Sequence, residues 1–297
     1  MSKIIFKQCR CIVFLLFSTV SFADTKSLGD EESQYEVHHA LYKEANLLLK
    51  NGEKEFETGF NYNTFSQNDI RSRFITLPLS YRRSITAGWE AFIEVPLHYA
   101  SVTEDTLSRH QQDDALGVGD VIVGIKNQWL FETISRPGLT AILTVTAPIG
   151  DASDLSNATE ASTGQGLWHT GFDVILNKTY DPVALYALLG FSQAIEGQRT
   201  LAGDDVDFQS GHQLKYGFGI GFAINSKVSV GGSFTGRIIG RSQVNGVKRN
   251  GTADERYQFN FSTTYKLSQG HFLTPSTRFG LSHEAFEFSV AYSVLYK

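Results

Sequence analysis

Charged and polar side chains recur at alternate positions along much of this chain, set against apolar ones. They include Glu57, Glu90, Glu94, Asp120, Lys126, His169, Asp173, Lys215, Arg237, Lys266, Arg278 and Glu287. Both signs of charge are present. If these residues share an enclosed interior, two chemistries are open to them. Acids and bases can pair across the space and fill it. They can also line a polar path and set its selectivity, as charged rings do in pores. Both can hold for the same residues.

Catalytic and metal chemistry finds less support. His98, His169, His212 and His283 have no partner at a ligand spacing such as H-x-x-x-H. His38 and His39 are adjacent, so their side chains diverge. Asp204, Asp205 and Asp207 lack the spaced loop and distal Glu of a calcium site. No G-x-S-x-G elbow occurs. A lipid-hydrolysing barrel of the outer-membrane phospholipase A kind would need Ser two residues after His. The chain offers His98-Tyr99-Ala100-Ser101, and an adjacent Ser282-His283 whose side chains would take opposite faces of a strand. The expectation is no catalytic residue, no metal and no cofactor.

The elements that would position the charged set are strands. Leu214–Ile224 reads L-K-Y-G-F-G-I-G-F-A-I, with every second residue large and apolar. Its length matches a membrane-crossing strand of roughly 9–11 residues. The same period of two runs through Phe56–Tyr62, Ile75–Tyr81, Trp89–Tyr99, Val121–Trp129, Leu139–Ile149, Phe172–Leu176, Val183–Phe191, Val228–Phe234, Tyr257–Tyr265, Leu273–Leu281 and Phe286–Tyr296. That predicts an all-β chain, a transmembrane antiparallel barrel of about twelve strands, an even number as bacterial barrels have.

The connections alternate in length. Arg82–Ile85, Glu132–Pro137, Thr179–Pro182 and Asn225–Lys227 are short. Ser101–Leu116, Asp151–Gln165, Gly197–Gly211 and Arg241–Asp254 are long and polar, and are expected to be loops. Short periplasmic turns alternating with longer outer loops mark an outer-membrane barrel. No apolar run reaches the roughly 18 residues of a membrane helix.

Lys3, Lys7 and Arg10, then the apolar Ile12–Val20 and Ser21-Phe22-Ala23, read as a signal peptide over residues 1–23. Cys9 and Cys11 fall within it, so the mature chain has no cysteine. Residues 24–53 form a leader. Val37, Leu41, Ala45, Leu48 and Leu49 predict a short amphipathic helix ended by Asn51-Gly52. It could lie in the periplasm, plug the lumen or pair with another chain. The barrel would occupy residues 54–297. Net charge is −5, with no basic excess to suggest nucleic acid. The expected surroundings are lipid and lipopolysaccharide, whose phosphates Arg71, Arg73, Lys248 and Arg249 could meet near the outer rim. The aromatic-rich last strand resembles the signal read by the outer-membrane assembly machinery.

Several pieces together resemble one family. Gly117-Val-Gly-Asp120-Val-Ile-Val-Gly124-Ile-Lys126 is similar to the G-x-G-D-x-x-x-G-x-K strand of the MetA-pathway phenol-degradation family. Thr146-Ala-Pro148-Ile-Gly150-Asp151, the Gly164–Gly166 loop and the Asp173 strand resemble its next hairpin. The leader piece Ala45–Gly52 fits as well. The resemblance implies an outer-membrane barrel of a Gram-negative bacterium, passing small hydrophobic or aromatic solutes. The alternatives are a filled barrel that works through its outer loops, and a lipid-modifying enzyme.

Overall fold

The structure is a computed structural model that describes residues 48–67, 70–106, 109–157, 159–282 and 284–296, with short pieces at 20–21 and 45–46. The wall begins with β1 (Lys54–Gln67), β2 (Ile70–Thr86) and β3 (Trp89–Thr106). Next come β4 (Arg109–Val118), β5 (Val121–Leu130), β6 (Gly138–Ala147), β7 (His169–Tyr180) and β8 (Val183–Ala194). β9 (Gly197–Leu201) and β10 (Asp204–Gln209) stand outside the wall. β11 (Gln213–Asn225) and β12 (Val228–Ile239) return to it. β13 (Gln243–Val244) and β14 (Val247–Lys248) leave it again. β15 (Asp254–Ser268), β16 (His271–Gly280) and β17 (Glu284–Tyr296) complete it.

Every wall strand is antiparallel to its neighbours, and β17 pairs with β1 to close the ring. The sheet has 13 strands, but β4 and β5 both pair with β3 and form one stave, so the barrel has 12. Among the described residues, closure of the ring pairs each full stave on both sides, as lipid demands, while β4 pairs with β3 alone. Between β4 and β5 the register slips by one residue at Gly119-Asp120: Leu97 faces Val118, while Glu94 faces Ile122. This bulge returns Val118 and Val123 to the outer face.

The two faces sort as the alternation demands. Phe218, Ile220, Phe222 and Ile224 are exposed on the outside, while Gly217, Gly219 and Gly221 are buried between them. Outer aromatic rings touch along the wall, with Phe234 5.5 Å from Phe218 and 5.4 Å from Phe259. Phe279 lies 5.6 Å from Phe286. Such rings suit the interfacial girdle of a barrel.

The long outer connections depart from their expectation as loops. Ser101–Leu116 is mostly strand: β3 runs on to Thr106 and β4 starts at Arg109, so the two pair far beyond their membrane section. Polar side chains are compatible with a ladder once both faces meet water. Gly197–Gly211 contains the β9–β10 hairpin, and Arg241–Asp254 contains β13 and β14. β10 also pairs with β13, joining them in a four-stranded outer sheet. Leu155, Leu167, Ala194, Phe208 and Val244 make a small apolar core beneath it. An ordered unit, here called the roof, therefore stands at the outer end. At the other end β2 extends through the Arg82–Ile85 turn to Thr86, and the turn itself holds Gly88 at φ +80°.

Asp154 ties this roof together. One carboxylate oxygen accepts the Ser156 hydroxyl and amide, both at 2.7 Å, and the Ala202 amide at 3.0 Å. The other accepts the Gly203 amide at 3.1 Å. Ala202 and Gly203 both have positive φ, the turn that a two-residue hairpin loop requires. These bonds, the Ser156 hydroxyl first, hold the Asp154 carboxyl down to about 2. Stability linked to a lowered pKa is present above the free value and lost as pH falls through the folded one. Asp154→Ala is thus expected to raise the rate of protease cleavage in the outer hairpins. Wild type should show the same loss only between about pH 4 and pH 2. Limited proteolysis with an acid-active protease checks both.

The predicted leader helix falls largely outside the described residues, as does nearly all of the signal segment. Where the helix stretch is described, at 45–46 and 48–50, it is not helical. Leu48 and Leu49 are buried, the Leu49 amide bonded to Glu90.

Candidate functional site

The barrel interior gathers the charged set, in two groups at different heights. The lower group sits near the end where the chain enters. Arg82 on β2 holds Glu55 of β1 through NH1 at 2.8 Å, and Glu90 of β3 through Nε at 2.8 Å. A second bond runs from Arg82 NH2 to Glu90 at 3.1 Å. Lys126 on β5 donates to the same Glu90 carboxylate at 2.8 Å. Glu90 is 0% exposed, so burial makes each of these bonds matter. Its other oxygen accepts the backbone amide of Leu49 at 2.9 Å. The last leader residues therefore sit inside the inner mouth. Glu57 and Glu94 lie one step further in, each opposite Ser80 of β2.

Beside this quartet, with Phe92 opposite Arg82 and Ile142 opposite Lys126, the wall is apolar on one side. Ile142, Ile175 and Ala184 are buried together, with Phe92, Tyr186, Leu188 and Ala223 packed against them. All face inward. Gly124 leaves the space that the Phe92 ring occupies, and the Lys126 ammonium stands 5.2 Å from that ring. The opposite side carries hydroxyls: Thr264 and Thr274 bond at 3.1 Å, Ser276 and Ser289 at 2.6 Å. An apolar cluster on β3, β6, β7, β8 and β11 thus faces hydroxyl pairs on β15 to β17, with charged side chains among both.

The upper group lies nearer the roof. Lys215 bonds Asp173 at 2.6 Å, and Gly190 between them makes room for the reach. Arg278 bonds Glu287 at 2.7 Å, with Asn63 also donating to Glu287 at 3.3 Å. Arg256 bonds Asp254 at 2.9 Å. Arg237 is buried between Lys215 and Arg256, and Lys266 lies lower, opposite Phe272. His169 is buried at the top of β7, its Nε2 without a partner, and His98 bonds Thr76 at 2.8 Å.

Asp120 serves the roof. Its oxygens accept the amides of Gly150 at 3.1 Å and Gln165 at 2.8 Å. The P-x-G-D turn and the Gly164 loop are thereby pinned to the β4–β5 bulge. Asp120→Ala would leave two part-buried amides without this acceptor, at about 1 kcal/mol each, the low end for an unsatisfied group. A lower unfolding temperature of the roof, followed by hydrogen exchange at residues 150–167, is the expected result.

All twelve predicted interior residues occupy the face away from the exposed apolar rows. Sequence reasoning missed Glu55, Arg82, Asp254 and Arg256. Each follows the same period of two, beside Phe56, Tyr81 and Tyr257, so the signal was present. The inward Phe92, Ile142 and Leu188 carried no signal, because an inward apolar residue looks like an outward one. Among the described residues no cluster of three or more His, Cys, Asp or Glu could hold a metal.

Residues 57–297 match the family described as "Putative MetA-pathway of phenol degradation". The fold is similar to the COG4313 outer membrane channel from Pseudomonas putida F1, with a TM-score of 0.69 at 13% identity, covering 84% of this chain and 97% of that one. It is also similar to the translocator domain of the autotransporter NalP from Neisseria meningitidis, with a TM-score of 0.50 at 10% identity, over 84% and 89% of the two chains. Likeness at these identities carries the fold, a barrel of the Gram-negative outer membrane.

Proposed function

The chain belongs to this MetA-pathway phenol-degradation family, and we propose that it is a passive outer-membrane channel for small hydrophobic or aromatic solutes. The observation that carries this reading is the apolar inner wall of Phe92, Ile142, Ile175, Tyr186 and Leu188. A barrel filled only for stability by ion pairs has no need of a greasy strip facing hydroxyls. A solute with a ring and a polar edge finds a partner on each side. In this reading passage follows the concentration gradient.

Arg71 and Arg73 are exposed at the outer end of β2, which supports the reading that they meet lipopolysaccharide phosphates. The aromatic outer face of β17 suits recognition by the assembly machinery.

Catechol, a soluble aromatic, tests the solute class. Added to a single barrel carrying ion current, it should produce brief interruptions. Leu188→Asn should shorten them about tenfold, the scale of one lost apolar contact in a pocket. Uninterrupted current in wild type would remove the aromatic preference. The ordered roof favours one other reading, surface binding through the outer hairpins, and a barrel silent in every bilayer would support it.

A further inference from the structure

We propose that the outer end of the wall carries a binding site for the phosphorylated sugar headgroup of lipid A, built on the outward face of β1 to β4. The proposal rests on the lipopolysaccharide reading of Arg71 and Arg73, and names the headgroup and the rows that hold it. It does not depend on the channel.

Two registered rows cross these four strands on the lipid-facing side. The upper runs Ser66, Arg71, Thr103, Gln112, each opposite the next. The lower runs Thr64, Arg73, Ser101, Asp114. Every side chain in them is polar. Arg71 and Arg73 are both exposed, two residues apart on one face, so about 7 Å separates their Cα atoms. An arginine fork presents paired donors that match a phosphate. Asp114, the acid of the lower row, accepts from the Tyr99 hydroxyl and the Gln112 amide, both at 3.2 Å. Neutral donors thus engage its oxygens, two strands away from Arg73.

A second observation is what lies beneath. The next row down runs Tyr62, Ile75, Tyr99, Leu116. Below it Leu77 stands opposite Leu97, and Leu97 opposite Val118. Leu77, Leu97, Leu116 and Val118 are exposed, Leu116 at 81%. The face therefore turns from polar to apolar within one step, with two tyrosines at the step, as at a membrane interface. A lipid seated here would place its phosphate at the arginines and its acyl chains against Leu77, Leu97 and Val118.

The width of the rows selects the headgroup. Four strands about 4.8 Å apart span about 14 Å. A lone phosphate needs only the arginines. A phosphorylated glucosamine also meets hydroxyls on either side, from Thr64 and Ser66 on β1 and Thr103 on β3. Arg83, exposed on the same face at the other end of β2, has Lys54 and Ala91 opposite it and no such flank.

Lipid A and its dephosphorylated form test this, the sugars and acyl chains being common and the phosphates not. Each is titrated into the refolded mature barrel in detergent, and bound lipid is counted by native mass spectrometry. One lipid A should bind per barrel, at least about tenfold more tightly than the dephosphorylated form, the scale of a charge-assisted bond. Arg71→Gln with Arg73→Gln should remove that advantage, and Arg71→Lys with Arg73→Lys should recover part of it. Arg83→Gln should retain it in full. Phosphatidylglycerol, with one phosphate and no sugar, should bind more weakly than lipid A. Equal binding of the two lipid A forms, no binding of either, or the same loss in Arg83→Gln would each overturn the site. The wild-type comparison decides the matter if the double variant fails to fold. Phosphatidylglycerol held through the two arginines as tightly as lipid A would overturn the headgroup assignment and the lipopolysaccharide reading with it. A phosphate-dependent grip on lipid A that survives in the folded double glutamine variant would keep lipopolysaccharide as a partner and overturn this site.

Discussion

Glu90→Ala is expected to be the most damaging single change in the barrel wall. Glu90 answers Arg82 and Lys126 at once, and both are buried with it. Arg82 keeps Glu55 when Glu90 is removed. Lys126 is left against the Phe92 ring without that carboxylate. Removing one partner of a buried pair costs about 3–5 kcal/mol, far more than the pair itself adds over an apolar filling. The midpoint of urea unfolding, read from the heat-dependent gel shift of the folded barrel, should fall sharply. Glu90→Gln keeps the shape and one acceptor, and should lose less. An unchanged midpoint in Glu90→Ala would mean that lumenal water screens the quartet.

Removing residues 24–50 is expected to give the largest change in current. Leu48 and Leu49 are buried within the inner mouth, and the Leu49 amide is bonded to Glu90. Leu48 and Leu49 therefore occupy part of the cross-section at that level. Glu90, Arg82 and Lys126 remain paired without it, so the wall should still fold. Unitary conductance of the truncated barrel should rise several-fold over the intact one. Equal conductance would place the narrowest point elsewhere, under the roof or at the upper cations. Leu49→Pro removes the amide that Glu90 accepts and the buried leucine side chain, and leaves the rest of the leader in place. It should give noisier current and an intermediate rise.

The wall was legible because its signal is local. A lipid-facing row needs an apolar residue at every second position, and that row survives wherever the stave crosses the membrane. The register of Leu214–Ile224 shows this plainly, with its large residues outside and its glycines inside. The charged interior was legible for the same reason, as the other half of the alternation.

What was not read lies outside the membrane or depends on register. Asn245-Gly246 is the turn pair of the β13–β14 hairpin, a strong hairpin signal overlooked within a stretch taken as loop. β3 and β4 continue past the membrane with charged residues on both faces, which erases the apolar row but not the ladder. The cation row needs Lys215, Arg237 and Arg256 to meet in register, and nothing in their spacing along the chain announces it. The leader helix lies largely outside the described residues, and only its end, at 48–50, is seen to enter the barrel mouth.

The central claim, a passive channel, is tested most directly by single-channel recording of the refolded mature chain in a planar bilayer. The account predicts small, steady, ohmic steps from barrels that show the heat-dependent gel shift. Silence from such barrels, both intact and lacking residues 24–50, would contradict it.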